Sequence, residues 1–543
     1  MVGNVRSASG YRRRVMGVTP SAASEDVPRR GRRRRAVLAV SVSSAAVGFT
    51  TTAITVGTRG MAQELSLTAA ELGWIVNSYL VVAAALVLAG ARLGDVIGRV
   101  RTLEVGLTVF VSASLLGLVA PGFAVIIVAR MLQGVGAALI MPAGIEVIAE
   151  YARDPAEVNE FRWRGLAYAC SFAVGPLFGG LLTDWISWRW VFVVAGATGL
   201  VGWMSVRPLE RHPGRGTHRP TDDFLGALMA AALVGLVIVL AERLAVWSIA
   251  SVEFLAGIAL VLVLSLALLL HERRVEHPLL HRQVIEDRRV LGANVAGLGA
   301  SIGMVSLLYF FNLFAQSAAS LSGGAVSVLA ALALFVTSML LCAVLAHRLG
   351  VRFGPTGPVV AGFILMIVGF GWLSRVTVQT TEGELWTALA VAGVGAGITN
   401  ASLTGVAVLG LPAGRINEAA GWNGLARFLG SAIAMAVGTT TFLSVDGDGG
   451  AHPESVYASG DAFDAAVETL RHDLSGPLRA VTDAESAQRF ALTMGVTAAM
   501  LTVLALLACV LLWGSATNRS HMATSREPDS PMVSRRPATR GRP

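Results

Sequence analysis

The chain has 543 residues, 54% of them hydrophobic and 14% charged, with a mean hydropathy of +0.64. A soluble protein of this length needs more polar surface than that composition supplies. The net charge is +8 and all 43 basic residues are arginines; they fall between apolar blocks, as membrane topology demands, so no nucleic-acid partner is expected.

Residues 1–35 are polar and end in Arg32, Arg33, Arg34 and Arg35. They read as a disordered basic cytoplasmic tail ahead of an uncleaved first helix, because the following apolar run is too long for a signal-peptide core. A bilayer core of about 30 Å needs about 20 apolar helical residues. The apolar blocks are 36–57, 72–91, 102–120, 122–144, 164–183, 188–206, 224–241, 251–271, 290–312, 325–346, 357–374, 385–411, 419–442 and 490–514. Fourteen membrane helices are therefore predicted. With both termini cytoplasmic, the short inner loops carry 18 arginines and the short outer loops 4 (Arg59, Arg189, Arg243 and Arg375), which satisfies the positive-inside rule. The long outer segment 443–489 is acidic and polar, and Phe463, Val467, Leu470 and Leu474 recur there at helical spacing. Residues 515–543 read as a second disordered cytoplasmic tail. Cys170, Cys342 and Cys509 are isolated within apolar blocks and read as small buried hydrophobes. No phosphate loop, metal-ligand spacing or nucleophile constellation is present. The expectation is therefore no enzyme, no catalytic residue, no metal and no cofactor.

A short repeat divides the chain. Arg92-Leu93-Gly94, three residues, then Gly98 follows the second block; Arg348-Leu349-Gly350, three residues, then Gly354 follows the tenth. Repeats of this kind underlie many secondary transporters. The division is a six-helix bundle over 36–206, two inserted helices with their loops over 207–289, and a second six-helix bundle over 290–514.

Several motifs carry a resemblance. The loop from Gly90 to Arg101 resembles that between helices 2 and 3 of the fourteen-helix drug:proton antiporters of the major facilitator superfamily, with Ala91 for its first Gly and Val96 and Val100 where the family favours basic residues. Arg130-Met131-Leu132-Gln133-Gly134 resembles that family's fourth-helix motif, and Gly175-Pro176-Leu177-Phe178-Gly179-Gly180 its fifth-helix motif. Trp188-Arg189-Trp190-Val191-Phe192, the stretch Trp74 to Leu80, the loop 271–280 and the stretch from Pro412 to Gly430, with Gly421, Asn423, Arg427 and Gly430, are similar as well. The resemblance implies an all-α membrane protein of the major facilitator fold. It implies an inner gate at Asp95, Gly98, Arg99 and Arg101, proton coupling at Arg130, and an outer hinge at Gly175, Pro176, Gly179 and Gly180. A charge inside a membrane helix is costly, which makes Arg130 a functional candidate on physical grounds also. The aromatics around Trp188 are expected to anchor the interface.

The sequence departs from the family in the first helix. Thr50, Thr55 and Arg59 stand where the family has Asp, Asn and Pro. No acidic residue lies near the middle of a predicted helix; Glu104, Glu146, Glu242, Glu253 and Glu418 fall near helix ends. The missing carboxylate favours a neutral or anionic amphipathic substrate over a lipophilic cation. Candidate cavity residues are Asn77, Tyr79, Tyr309, Asn312, Gln316, Asn400 and Asn423. The reading is a monomeric, multi-pass plasma-membrane exporter of small amphipathic molecules, with lipid around it and the proton gradient as its energy source. An uncoupled facilitator or importer and a non-transporting sensor stay open as alternatives. The absence of lysine, with the alanine and glycine load, points to a GC-rich bacterial genome.

Overall fold

The computed structural model describes residues 20–67, 69–151, 159–209, 224–243, 247, 251–275, 287–317, 324–354, 356–408, 416–443 and 476–524. Fourteen long helices and no strand occur among them. They are α1 (Pro20–Leu65), α2 (Ala69–Ile97), α3 (Arg99–Leu118), α4 (Phe123–Tyr151), α5 (Asn159–Trp185), α6 (Arg189–Val206) and α7 (Phe224–Arg243). Then follow α8 (Val252–Glu272), α9 (Arg288–Ser317), α10 (Gly324–Phe353), α11 (Gly357–Leu373), α12 (Glu382–Val408), α13 (Ile416–Leu443) and α14 (Gly476–Thr524). Each predicted apolar block overlaps one helix, to within a few residues at the ends. Among the described residues ten helices are long and apolar enough to cross a membrane, and two shorter apolar stretches, Leu225–Leu240 and Gly357–Leu373, add to them. The protein is a multi-pass membrane protein.

The helices overrun the apolar blocks, which corrects three expectations. Residues 20–35 and 515–524 are helical rather than disordered tail, and 476–489 open α14 rather than close a loop. Hydropathy stops where apolar side chains stop, but arginine, alanine and glutamate are good helix formers, so the backbone ladder runs on into the polar flanks. Pro20 stands at the first helical position of α1, where no backbone N–H is needed. The surface helix expected around Phe463–Leu474 lies outside the described residues.

The six helices α1–α6 pack among themselves, and α9–α14 repeat the same pairings. Helix α1 packs on α5, α6 and α4 as α9 packs on α13, α14 and α12; α2 and α3 pack on α4 as α10 and α11 pack on α12. The match extends to single atoms. A Cβ added at Gly106 would stand 3.1 Å from the carbonyl oxygen of Gly136, and one at Gly362 would stand 2.8 Å from that of Gly395. One at Gly134 would stand 2.8 Å from the Tyr79 carbonyl oxygen, and one at Gly393 2.9 Å from that of Phe335. Without a hydrophobic drive between helices in lipid, such backbone approaches let dispersion hold the bundle.

The Arg-Leu-Gly repeat has a conformational reason. Gly98 and Gly354, its closing residues, hold φ of 92° and 77°, the only glycines with positive φ among the described residues. Each reverses the chain directly ahead of the next helix, in a region closed to most L side chains.

The two repeats meet along two seams, α2 with α13 and α5 with α10, while α4 and α12 cross to α13 and α5. Inserted helix α7 packs on both α2 and α13, and α8 packs on α7. Leu255, Leu262 and Val263 of α8 are exposed, as are Val503, Leu506 and Val510 of α14. Such apolar exposure suits side chains whose solvent is lipid.

Candidate functional site

At the end of the first bundle that bears the α2–α3 turn, four charged residues converge. Arg99 places Nε 3.8 Å from Oε2 of Glu146 and Nη1 3.9 Å from Oε2 of Glu150. Glu146 lies five residues before the end of α4 and is completely buried, with no hydrogen-bond partner on either carboxylate oxygen. Gly94 makes room for it, since a Cβ there would stand 2.7 Å from Oε2. Asp95 is close enough for its charge to act on Glu146. The predicted gate residues Asp95, Gly98 and Arg99 are thus brought together, whereas Arg101 is exposed.

Arg130 is 1% exposed and fully engaged. Its Nε donates to the carbonyl oxygen of Ile75 at 3.0 Å, Nη2 to that of Val76 at 3.4 Å, and Nη1 to Oε1 of Gln133 at 3.0 Å. Gln133 Nε2 in turn donates to Ser114 Oγ at 2.9 Å. The guanidinium also lies over the Tyr79 ring, 4.6 Å from its centroid. Arg130 therefore fastens α4 to α2 and, through Gln133, to α3.

The predicted hinge is a close helix contact. A Cβ at Gly175 would stand 2.1 Å from Thr52 Oγ1, and one at Gly179 2.8 Å from the Ala53 carbonyl oxygen. Helix α5 runs unbroken through Pro176 and Gly180, whose surroundings lie outside the described residues. Trp188 corrects another expectation: it is 2% exposed and packs on Gly57 and Gly60 of α1 rather than anchoring an interface, while Trp190 faces outward. Trp188 is held there by a hydrogen bond from Nε1 to Glu64 Oε2 at 2.7 Å, and Arg189 pairs with the same carboxylate. The Arg189 hydrogen bond holds the Glu64 carboxyl below the usual carboxylate range.

The polar residues of the seam are the fourth feature. Tyr79 meets Phe428 across the α2–α13 seam, edge to face with centroids 6.4 Å apart. On the other side of α13, Arg427 donates from Nη1 to Asn400 Oδ1 at 2.7 Å and from Nε to Asn423 Oδ1 at 3.2 Å. Its guanidinium carbon lies 5.5 Å from the Tyr168 ring centroid. Arg164, one turn before Tyr168 on α5, donates to the Met141 carbonyl oxygen at 3.0 Å. Arg164, Arg427, Asn400 and Asn423 are each at most 2% exposed. Of the predicted cavity residues, Tyr79, Asn400 and Asn423 reach this seam. Tyr309 instead stacks edge-on against Phe310, and Asn77 is half-buried on α2. The side chains of Asn312 and Gln316 lie outside the described residues, as does that of Arg59. Thr50 is buried, and its hydroxyl has no hydrogen-bond partner.

Arg164 and Glu146 were not among the predicted site residues. Arg164 stands at the boundary of an apolar block beside Arg162 and looks like one more loop anchor; Glu146 looks like a helix-end carboxylate. Their spacing from the helix ends, one to two turns inward, is the signal that separates them from true loop residues.

Two six-helix repeats around a polar seam define the class of membrane transporter. The chain matches the Major Facilitator Superfamily over residues 38–435, and it belongs to that family. The methylenomycin A resistance protein of Streptomyces coelicolor is 28% identical over 448 residues, 80% of this chain and 92% of that one. The cephamycin export protein CmcT of Amycolatopsis lactamdurans is 30% identical over 430 residues, 77% and 86% of the two chains. The match to the puromycin resistance protein pur8 of Streptomyces alboniger, also 30% identical, takes in 61% of this chain and 65% of that one. Among solved structures, the proton:xylose symporter XylE shares the fold, with a TM-score of 0.56 at 13% identity over 89% of this chain and 96% of that one. These are transporters, not enzymes.

Proposed function

We propose that the protein exports small amphipathic molecules, antibiotics or a metabolite of the producing cell, by alternating access driven by proton antiport. The observation that carries this reading is the buried polar cluster on the seam between two repeats that share one pattern of helix packing. Rocking one repeat against the other opens that seam to each side in turn. The named relatives, resistance and export proteins over most of their length, support the direction and the substrate class.

Within this reading Asp95, Gly98, Arg99 and Arg101 belong to the inner gate, and Gly175, Pro176, Gly179 and Gly180 to the outer hinge. Arg130 bears on coupling by fixing α2 against α4. Glu146, on the same helix, is the buried carboxylate whose protonation releases Arg99. The protein acts as a monomer in the plasma membrane with both termini in the cytoplasm.

Uptake of a compound panel into inverted membrane vesicles tests the reading. Uptake that stops when the pH gradient is collapsed is the expected result. Uptake that continues unchanged would establish the second reading, an uncoupled facilitator, which the Thr50 hydroxyl at the family's carboxylate position favours. No uptake of any compound by correctly inserted protein would leave a sensor.

A further inference from the structure

The seam carries positive charge with no answering negative charge among the described residues. Arg164 on α5 and Arg427 on α13 lie within electrostatic reach of each other. A chain of contacts joins them. Gly165 approaches Asn400 so closely that a Cβ there would stand 2.5 Å from the Asn400 carbonyl oxygen, and the Asn400 side chain accepts from Arg427. The Tyr168 ring faces Arg427 from the same helix as Arg164. Neither Arg164 nor Arg427 is in an ion pair with a described carboxylate.

Three buried polar atoms here have no partner: Nε of Arg164, Nη2 of Arg427 and Nδ2 of Asn423. All three are donors. A Cβ at Gly297 of α9 would stand 3.3 Å from Asn423 Nδ2, and one at Gly144 of α4 would stand 3.6 Å from Arg164 Nε, so the donors border the seam from both bundles. A guanidinium does not shed its proton in a protein, and buried donors without acceptors are costly. Two like charges in a low-dielectric seam add repulsion. An oxyanion between the two guanidiniums relieves that repulsion, and the guanidinium fork matches a carboxylate in shape. An ammonium compound meets two cations, so the same cluster rejects it. The Tyr168 ring, 5.5 Å from the Arg427 guanidinium carbon, supplies an aromatic face for the rest of the molecule.

We propose that Arg164 and Arg427 bind an anionic group, a carboxylate or similar oxyanion, carried by an amphipathic aromatic substrate. This rests on the export reading and adds the sign of the substrate's charge.

The test uses the full chain in detergent and three probes on one scaffold: 2-naphthoate, 2-naphthamide and 2-naphthylmethylammonium. Protection against thermal unfolding reports binding. The expected result is protection by naphthoate at concentrations at least about tenfold below those needed of the other two. Arg164→Met and Arg427→Met should each remove that advantage. Equal protection by the three probes, protection by acetate at the same concentration as naphthoate, or an undiminished naphthoate effect in both variants would overturn the proposal. If the variants do not fold, the ranking of the probes on the parent chain decides. Uptake into inverted vesicles separates the two readings. Selective naphthoate binding without uptake keeps the anion site and overturns export. Uptake of the amide or the amine as fast as naphthoate keeps export and overturns the anion site.

Discussion

Arg99 stands at the first position of α3 with its Nε 3.8 Å from Glu146, a carboxylate that α4 buries completely. The pair joins the start of one helix to the far end of the next. Because Glu146 has no hydrogen-bond partner, Arg99 is its principal compensation. Arg99→Ala should therefore destabilise, by at most about 3 kcal/mol, since a buried carboxylate left unpaired can take up a proton. Glu146→Gln should cost much less, and the double variant should be more stable than Arg99→Ala alone. Denaturant or thermal unfolding of the three variants in detergent measures the cycle; additive losses would show that the two side chains do not act on each other.

Arg130→Lys keeps the charge of α4 but cannot reach Ile75, Val76 and Gln133 together. Each charge-assisted bond contributes roughly 1.5–3 kcal/mol, so the variant should lose at least about 1.5 kcal/mol of stability. Unfolding and vesicle uptake at matched protein level read the two consequences separately. Lost uptake with unchanged stability would assign Arg130 a part in coupling beyond holding α2.

Gly98→Ala and Gly354→Ala should each destabilise by about 1–3 kcal/mol through backbone strain. The space around Gly354 is open, so no clash enters there and the cost is conformational. Gly371→Ala is the control: it also faces open space but lies within helix α11, where alanine should stabilise by about 0.5–1 kcal/mol. Thermal unfolding of the three variants should therefore move in opposite directions.

Glu64 ties α1 to Trp188 and Arg189 at the end opposite the α2–α3 turn. Its carboxyl is held low by the Arg189 hydrogen bond. A depressed carboxylate stabilises the folded state above its unfolded pKa and loses that contribution as pH falls through the folded value. The side chain is half exposed, so solvent screening keeps the effect under about 1 kcal/mol. Parent and Glu64→Gln should differ in unfolding temperature near neutral pH and converge below about pH 4. A constant difference across that range would mean that the ion pair contributes nothing.

The helices, their order and the division into repeats were all legible in the sequence, because lipid imposes length and apolarity on each segment separately. The Arg-Leu-Gly repeat was legible too, since its spacing reflects a backbone reversal at Gly98 and Gly354 that few other residues allow. What resisted reading was rotation about each helix axis and contact across the chain. Arg130 meets carbonyls more than fifty residues away, and Trp188 meets a carboxylate 124 residues away. Nothing in the local pattern distinguishes a buried Trp188 from an exposed Trp190. Arg164 was hidden by its neighbours, since one arginine among loop arginines carries no mark of the helix it faces. Asn400 and Asn423 were legible only as polar atoms in apolar helices; that they orient Arg427 required the structure.

The inserted pair makes the two seams unequal. Helix α7 lies across α2 and α13, with α8 outside it, while the packing recorded for the α5–α10 seam includes no such cover. Among the described residues, one seam is thus covered by two extra helices and the other is not. The protein, nearly twofold within its core, presents a front and a back to the lipid.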